Sequence, residues 1–401
     1  MRAVAILLGY LVACAVFAAD WQFQKPLVVT AASRGVFCHL DASGRKSLAV
    51  SDDTVAIVWE DNRSGSAQIY AAFKKIDADG FTPPLRISDA GPAYEPAVAA
   101  LPHGRFVAGW EANGRVWSRL VSPTEKGPVT ALSSHPAQQL TLARAATEGK
   151  VVAAWAQRRD KWFQIMTAGL TVRNGVVVPR AARLVDDEPP RDHQFYPAIA
   201  ESRAGVVVAW EDRRQGATRI MTAFAPPAGG FGPPRVLNDF RASRIARFGN
   251  GTGAMRVVLA TDGQANVTAA WLDKRDFEGG YDVYATVSED GGKTFAADEI
   301  VQDMLGENTP QWHAAVAMSR QGNIVVAWDD SREGSKDVWF STREESWSDD
   351  NTFPAMEDGR SEAHPVLAYD DHGRLHAAWL ELRQGASVIR YVQGVQRFTP
   401  P

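Results

Sequence analysis

The chain has 401 residues, 45% of them hydrophobic and 22% charged, which excludes a disordered or fibrous protein. Acidic residues (47) nearly balance basic ones (43) and leave a formal net charge of −4, so no broad attraction to nucleic acid or an anionic membrane follows. The unusual count is 13 Trp.

At the N-terminus, Met1 and Arg2 lead into an apolar run from Ala3 to Phe17, closed by Ala18, Ala19 and Asp20. A short positive end, a hydrophobic core and small residues at a cut site are the layout of an export signal over residues 1–19. Val16-Phe17-Ala18 permits cleavage before Ala19 or Asp20. Leu11-Val12-Ala13-Cys14 offers the alternative of a lipoprotein signal, with Cys14 as a lipid anchor. The expected location is therefore outside the cytoplasm: periplasmic, outer-membrane-associated or secreted. The run is too short to span a bilayer, and nothing later is long enough. Either cut leaves Cys38 as the only unmodified thiol, so no internal disulfide can form and the fold must rest on packing.

From residue 20 onward the chain repeats. Seven short apolar strands end in Trp59, Trp110, Trp155, Trp210, Trp271, Trp328 and Trp379, between 45 and 61 positions apart. A period near fifty residues suits a four-stranded propeller blade and is too long for leucine-rich or ankyrin units. Each unit reads as four strands: an apolar stretch such as Ala97–Ala99, the Trp strand, a third strand such as Ile69-Tyr70 or Val338-Trp339, and a fourth such as Phe81–Ile87 or Phe231–Leu237. The residue before Trp is Gly or Ala in six of seven copies, which lets neighbouring sheets approach while Trp fills the gap. The last unit shows only three strands, whereas Trp21–Thr30 stands alone before the first and resembles the fourth strands. The fold expected is all-β: one domain over residues 20–401, a seven-bladed β-propeller of four-stranded antiparallel blades. The N-terminal strand closes the ring and removes an open edge.

Aligning the first strands places one polar residue from each blade where that strand begins: Arg45, Glu95, Gln139, Tyr196, Arg256, His313 and His364. These seven are expected to ring one mouth of the central channel as a ligand-binding surface, with Tyr94, His193 and Trp312 just outside. Between the fourth and fifth units, residues 238–253 form an insertion carrying Arg241, Arg244 and Arg247, a candidate lid or docking loop. The eight His are dispersed, and no phosphate loop, dinucleotide fingerprint or nucleophile elbow is present, so no metal or cofactor is expected.

Two motifs carry a family resemblance. Ser288-Glu289-Asp290-Gly291-Gly292-Lys293-Thr294-Phe295 follows the Asp-box pattern between the third and fourth strands of its unit, with Ser288, Asp290, Gly292, Thr294 and Phe295 in the defining places. After Trp comes a recurring turn, with Asp61 and Arg63, Asp212 and Arg214, Asp273 and Arg275, and Asp330 and Arg332; Glu381 and Arg383 keep it in the last unit. The chain thus resembles the sialidase-like (BNR/Asp-box) propellers of bacteria. Recurrence in five of seven units gives these acid–Arg pairs a structural reading. Exo-sialidases of this kind use three Arg, a Tyr–Glu nucleophile pair and an Asp acid/base. Arg45, Arg256, Tyr196 and Glu95 match in residue type, but no third Arg and no Arg-Ile-Pro motif is evident. The expected function is therefore non-catalytic: a monomeric exported module binding a glycan, peptide or cell-envelope protein. An exo-acting, sialidase-like glycoside hydrolase is the alternative.

Overall fold

The computed structural model describes residues 19–398, apart from residues 31–32, 41–44, 90, 239–252, 276–279, 304–308, 355 and 357–358. Residues 1–18 of the expected export signal, Cys14 of the alternative lipid anchor included, and the Arg-rich part of the insertion lie outside the described residues.

Seven antiparallel sheets follow one another around a channel. The second blade is typical: Tyr94–Leu101, Arg105–Ala112, Arg115–Val121 and Thr130–Ala131 pair in sequence order from the channel outward. Trp-bearing strands such as Thr54–Asp61 and Ile324–Asp330 are the second of each blade. Among the described residues no helix occurs.

All seven second-strand Trp are at most 2% exposed. Each lies in a cluster shared with the preceding blade: Trp110 with Val58 and Phe73 of the first, Trp271 with Val207 and Ile220 of the fourth. Trp59 packs on Val366, Leu380 and Tyr391 of the seventh, so the same joint closes the circle. Truncating such a side chain to Ala costs roughly 3–5 kcal/mol, and the packing between blades takes the place of any disulfide. The small residue before Trp has a direct cause: a Cβ on Gly109 would stand 2.4 Å from Leu140 of the next blade.

The N-terminal strand does close the ring. Ala19–Phe23 pairs with Ala386–Phe398, Asp20 opposite Arg397 and Phe23 opposite Gly394, as the outermost strand of the seventh blade. Leu27–Val28 adds a second short pairing to the same strand. The other fourth strands are shorter than the sequence suggests. Phe81–Ile87 reduces to the paired residues Leu85–Arg86, and Phe231–Leu237 to Arg235–Val236. Pro83-Pro84 and Pro233-Pro234 sit immediately before them, and proline has no N–H for the ladder.

Candidate functional site

The channel mouth is built by a repeated irregularity. In six blades the register between first and second strands breaks near the start of the first, as between Tyr94 and Ala97 or Met255 and Val258. Two residues then face one on the partner, a β-bulge that re-aims a side chain. The leading bulge residues are Glu95, Gln139, Tyr196, Arg256, His313 and His364, all left-handed with φ between 50° and 59°. Non-glycine residues seldom hold this conformation, and where they do the surroundings over-determine it.

The surroundings here are carboxylates directly after the Trp. The Glu95 N–H donates to Glu60 (3.3 Å), Gln139 to Glu111, Arg256 to Glu211 (2.8 Å) and His364 to Asp329 (3.0 Å). Each acceptor belongs to the preceding blade, so one ion both ties two blades and fixes a mouth residue. In the third blade the residue after Trp is Ala156, and the Gln139 side chain instead accepts from the Tyr196 N–H at 2.8 Å. These acidic residues were not singled out as site residues from the sequence; their signal was their position next to Trp.

All seven residues of the expected ring, Arg45 included, line one cavity of about 490 Å³. His39, Glu111, Gln138, Met255, Leu272 and Trp312 complete it. Tyr94 is exposed at the rim. His193 is packed among Trp162, Phe163 and Phe195, and its Nδ1 accepts the Phe163 N–H (3.0 Å), so it braces the frame.

The charged groups divide into committed and open ones. The Arg45 guanidinium is buried and paired with Glu95 (2.5 Å) and Glu111 (3.2 Å). Arg256 stacks on the Tyr196 ring, 3.5 Å from guanidinium carbon to centroid. Among the described residues it has no carboxylate within ion-pair distance, and its buried Nη1 has no hydrogen-bond acceptor. Tyr196 and Glu95 therefore face different guanidinium partners and form no nucleophile pair. Arg45 and Arg256 are the only Arg lining the cavity among the described residues.

On the wall between Arg256 and Arg45, His313 and His364 stack with centroids 3.7 Å apart, and His39 meets His364 edge-on at 5.2 Å. His313 Nδ1 lies 2.6 Å from Asp329, whose other oxygen is 3.2 Å from Lys336. Burial disfavours the Asp329 carboxylate, yet the His313 contact, Lys336 and the His364 amide hold it below its usual range. Among the described residues no group of three His, Cys, Asp or Glu is arranged to hold a metal ion.

The recurring turns sit outside this cavity. Trp59 Nε1 donates to Asp61 (2.9 Å), which also accepts the backbone N–H and Nε of Arg63 (2.9 and 2.6 Å). Asp212–Arg214, Asp273–Arg275 and Asp330–Arg332 repeat that triangle, and Gln157 takes the Asp role for Trp155. In the Asp-box, Ser288 Oγ accepts the Gly292 N–H (2.8 Å) and Asp290 accepts from Lys293, the Thr294 N–H and Thr294 Oγ1. Burial opposes ionisation of Asp290, but these donors outweigh it and lower the carboxylate to about 2. Phe295 packs at the joint between the fourth and fifth blades.

No family model and no curated protein sequence matches the chain. Solved structures match in fold. An ulvan lyase of polysaccharide lyase family PL25, bound to -[GlcA(1-4)Rha3S]-, is 10% identical with a TM-score of 0.60 over 94% of this chain and 100% of its own. The GH93 α-L-arabinofuranosidase of Fusarium graminearum, complexed with arabinobiose, is 12% identical with a TM-score of 0.51 over 75% and 92%. The β-propeller domain of the Trilobed protease from Pyrococcus furiosus is 10% identical with a TM-score of 0.54 over 91% and 94%. At such identities the likeness establishes a shared propeller fold, one found in glycan-active enzymes and in a protease alike.

Proposed function

We propose that the protein is an exported, sialidase-like (Asp-box) propeller that acts without catalysis and binds an acidic glycan at the channel mouth. The carrying observation is Arg256: a guanidinium held on the Tyr196 ring, open on the cavity side, with no carboxylate of its own among the described residues. A planar fork of this kind suits the carboxylate of a uronic acid or a sulfate group, and Tyr196 and Trp312 supply ring faces for the sugar. The cavity volume lies in the range of ligand sites. That a propeller of the same fold is described with -[GlcA(1-4)Rha3S]- bound fits this ligand class. The commitment of Arg45 to Glu95 and Glu111 leaves one open guanidinium, which favours holding an anion over the three-Arg clamp of a sialidase.

The test is an array of neutral, uronate-bearing and sulfated oligosaccharides probed with the purified protein. Acidic glycans should be retained, and Arg256→Gln should weaken binding at least tenfold while leaving the melting temperature unchanged. Recovered glycans should be chemically intact. Retention of peptides alone, equal binding of neutral sugars, or cleaved product would overturn the reading. Sequencing of the exported protein should give Ala19 or Asp20 first, or a lipidated Cys14; an intact Met1 would overturn export.

A further inference from the structure

Below the mouth the channel narrows. In six blades the second bulge residue is apolar: Pro96, Leu140, Pro197, Val257, Ala314 and Pro365. Leu140, Val257 and Ala314 pack in the joints between blades, whereas Pro365 lines the channel. The first blade has Lys46 at this level, its carbonyl accepting the Val98 N–H at 2.7 Å. Lys46 lines a throat void of about 20 Å³ together with Arg45 and apolar residues that include Val258, Leu259, Val316 and Pro365. On its far side it also lines a cavity of about 500 Å³ that opens at the other end of the channel.

Among the described residues no carboxylate lies within ion-pair distance of the Lys46 ammonium, and no acceptor lies within hydrogen-bond distance. Six carboxylates line the far cavity, Glu148 and Glu201 among them, and the other four have partners of their own. Asp371 pairs with Arg144 and Arg320, Asp370 with Arg374, Asp262 with Asn266, and Asp52 accepts the His103 N–H. Desolvation by the surrounding blades lowers the amine to about 8, so at neutral pH it still carries its charge. Lys46 is half-buried, and a counter-charge beside its ammonium offsets the hydration that the blades remove. The void beside it has room for about one water-sized particle.

We propose that the throat is an anion site, holding one small monoanion, chloride or the tip of a carboxylate, against Lys46. It is independent of the glycan reading, because the mouth residue that carries that reading, Arg256, does not border the throat. The ion replaces the counter-charge that the other six blades never need.

The experiment is chloride-35 nuclear magnetic resonance, in which a bound ion broadens the bulk line. Wild type should show protein-dependent broadening that acetate suppresses. Lys46→Met should lose more than half of it, and is expected to fold because it restores the apolar character of the other blades. Lys46→Arg and Arg256→Gln should both keep it. Equal broadening in wild type and Lys46→Met, or its loss in Arg256→Gln, would overturn the assignment.

Discussion

The Glu211 carboxylate accepts the backbone N–H of Arg256, a residue 45 positions later and one blade further round, at 2.8 Å. Burial raises the Glu211 carboxyl above its usual range, against the opposing Arg256 amide and charge. What the bulge needs from it is an acceptor, and an amide oxygen serves as well as a carboxylate. Glu211→Gln should therefore leave stability and glycan binding nearly unchanged. Glu211→Ala removes the acceptor and should cost about 1–3 kcal/mol in urea unfolding and weaken binding. Equal behaviour of the two variants would argue against a tether.

Removing the acid from a Trp–Asp–Arg triangle should be far more damaging than removing an exposed Arg. Asp273 is buried and accepts from Trp271 Nε1 (3.0 Å) and Arg275 Nη2 (2.7 Å). Asp273→Ala strands an indole N–H and takes from the half-buried Arg275 guanidinium one of its carboxylates, Asp298 being another, at an expected cost of about 3–5 kcal/mol. Arg383→Ala breaks a more exposed pair with Glu381 and should cost under about 1 kcal/mol. Thermal unfolding of both variants makes the comparison.

Two glycines separate backbone strain from steric clash. Gly216 (φ 95°) and Gly292 (φ 94°) share a conformation that side chains rarely adopt. A Cβ at Gly216 would meet nothing within 4 Å, whereas one at Gly292 would stand 2.7 Å from Val207 of the neighbouring blade. Gly216→Ala should cost about 1–2 kcal/mol from the backbone alone. Gly292→Ala should cost about 1–3 kcal/mol more. Equal melting temperatures would remove the clash.

A pH effect is expected from Asp350. Arg332 is shared among Asp330, Asp350 and Asp303, so one guanidinium serves more carboxylates than it can neutralise. Burial first, and then Asp303, push Asp350 up to about 7 despite Arg332. A carboxyl raised on folding binds its proton more tightly in the native state. Its contribution to stability is complete below the unfolded value of about 4 and is lost as pH rises to about 7. Asp350→Asn should flatten that part of the stability profile in urea melts from pH 4 to 8. An unchanged slope would remove Asp350 as its source.

The ring was legible because one residue type marked it. Trp recurs near every fiftieth position, and a joint that needs one large side chain per blade leaves that trace. The positions of six mouth residues were legible too, since in those blades the first strand changes from polar to apolar at the bulge. Their restraints were not. Glu60 and Glu95 are 35 positions apart, Glu111 and Gln139 28, and Arg45 and Glu111 66. Contacts between blades leave no local period, so Arg45 and Arg256 looked equivalent although only one of them is ion-paired. Fourth-strand lengths were misjudged because an apolar pattern does not reveal which N–H groups Pro83 and Pro233 withhold.

On the proposed function, the left-handed bulges bind stability and ligand contact to the same positions. At Tyr196 or Arg256 the backbone holds a side chain in a conformation that glycine would adopt with less strain. Relaxing the rim and emptying it are then one and the same substitution. A propeller refined for endurance alone would drift toward glycine there and lose its grip on whatever fills the mouth. The side chains that remain at six such positions mark the end of the channel where, on the proposed function, robustness is traded for recognition.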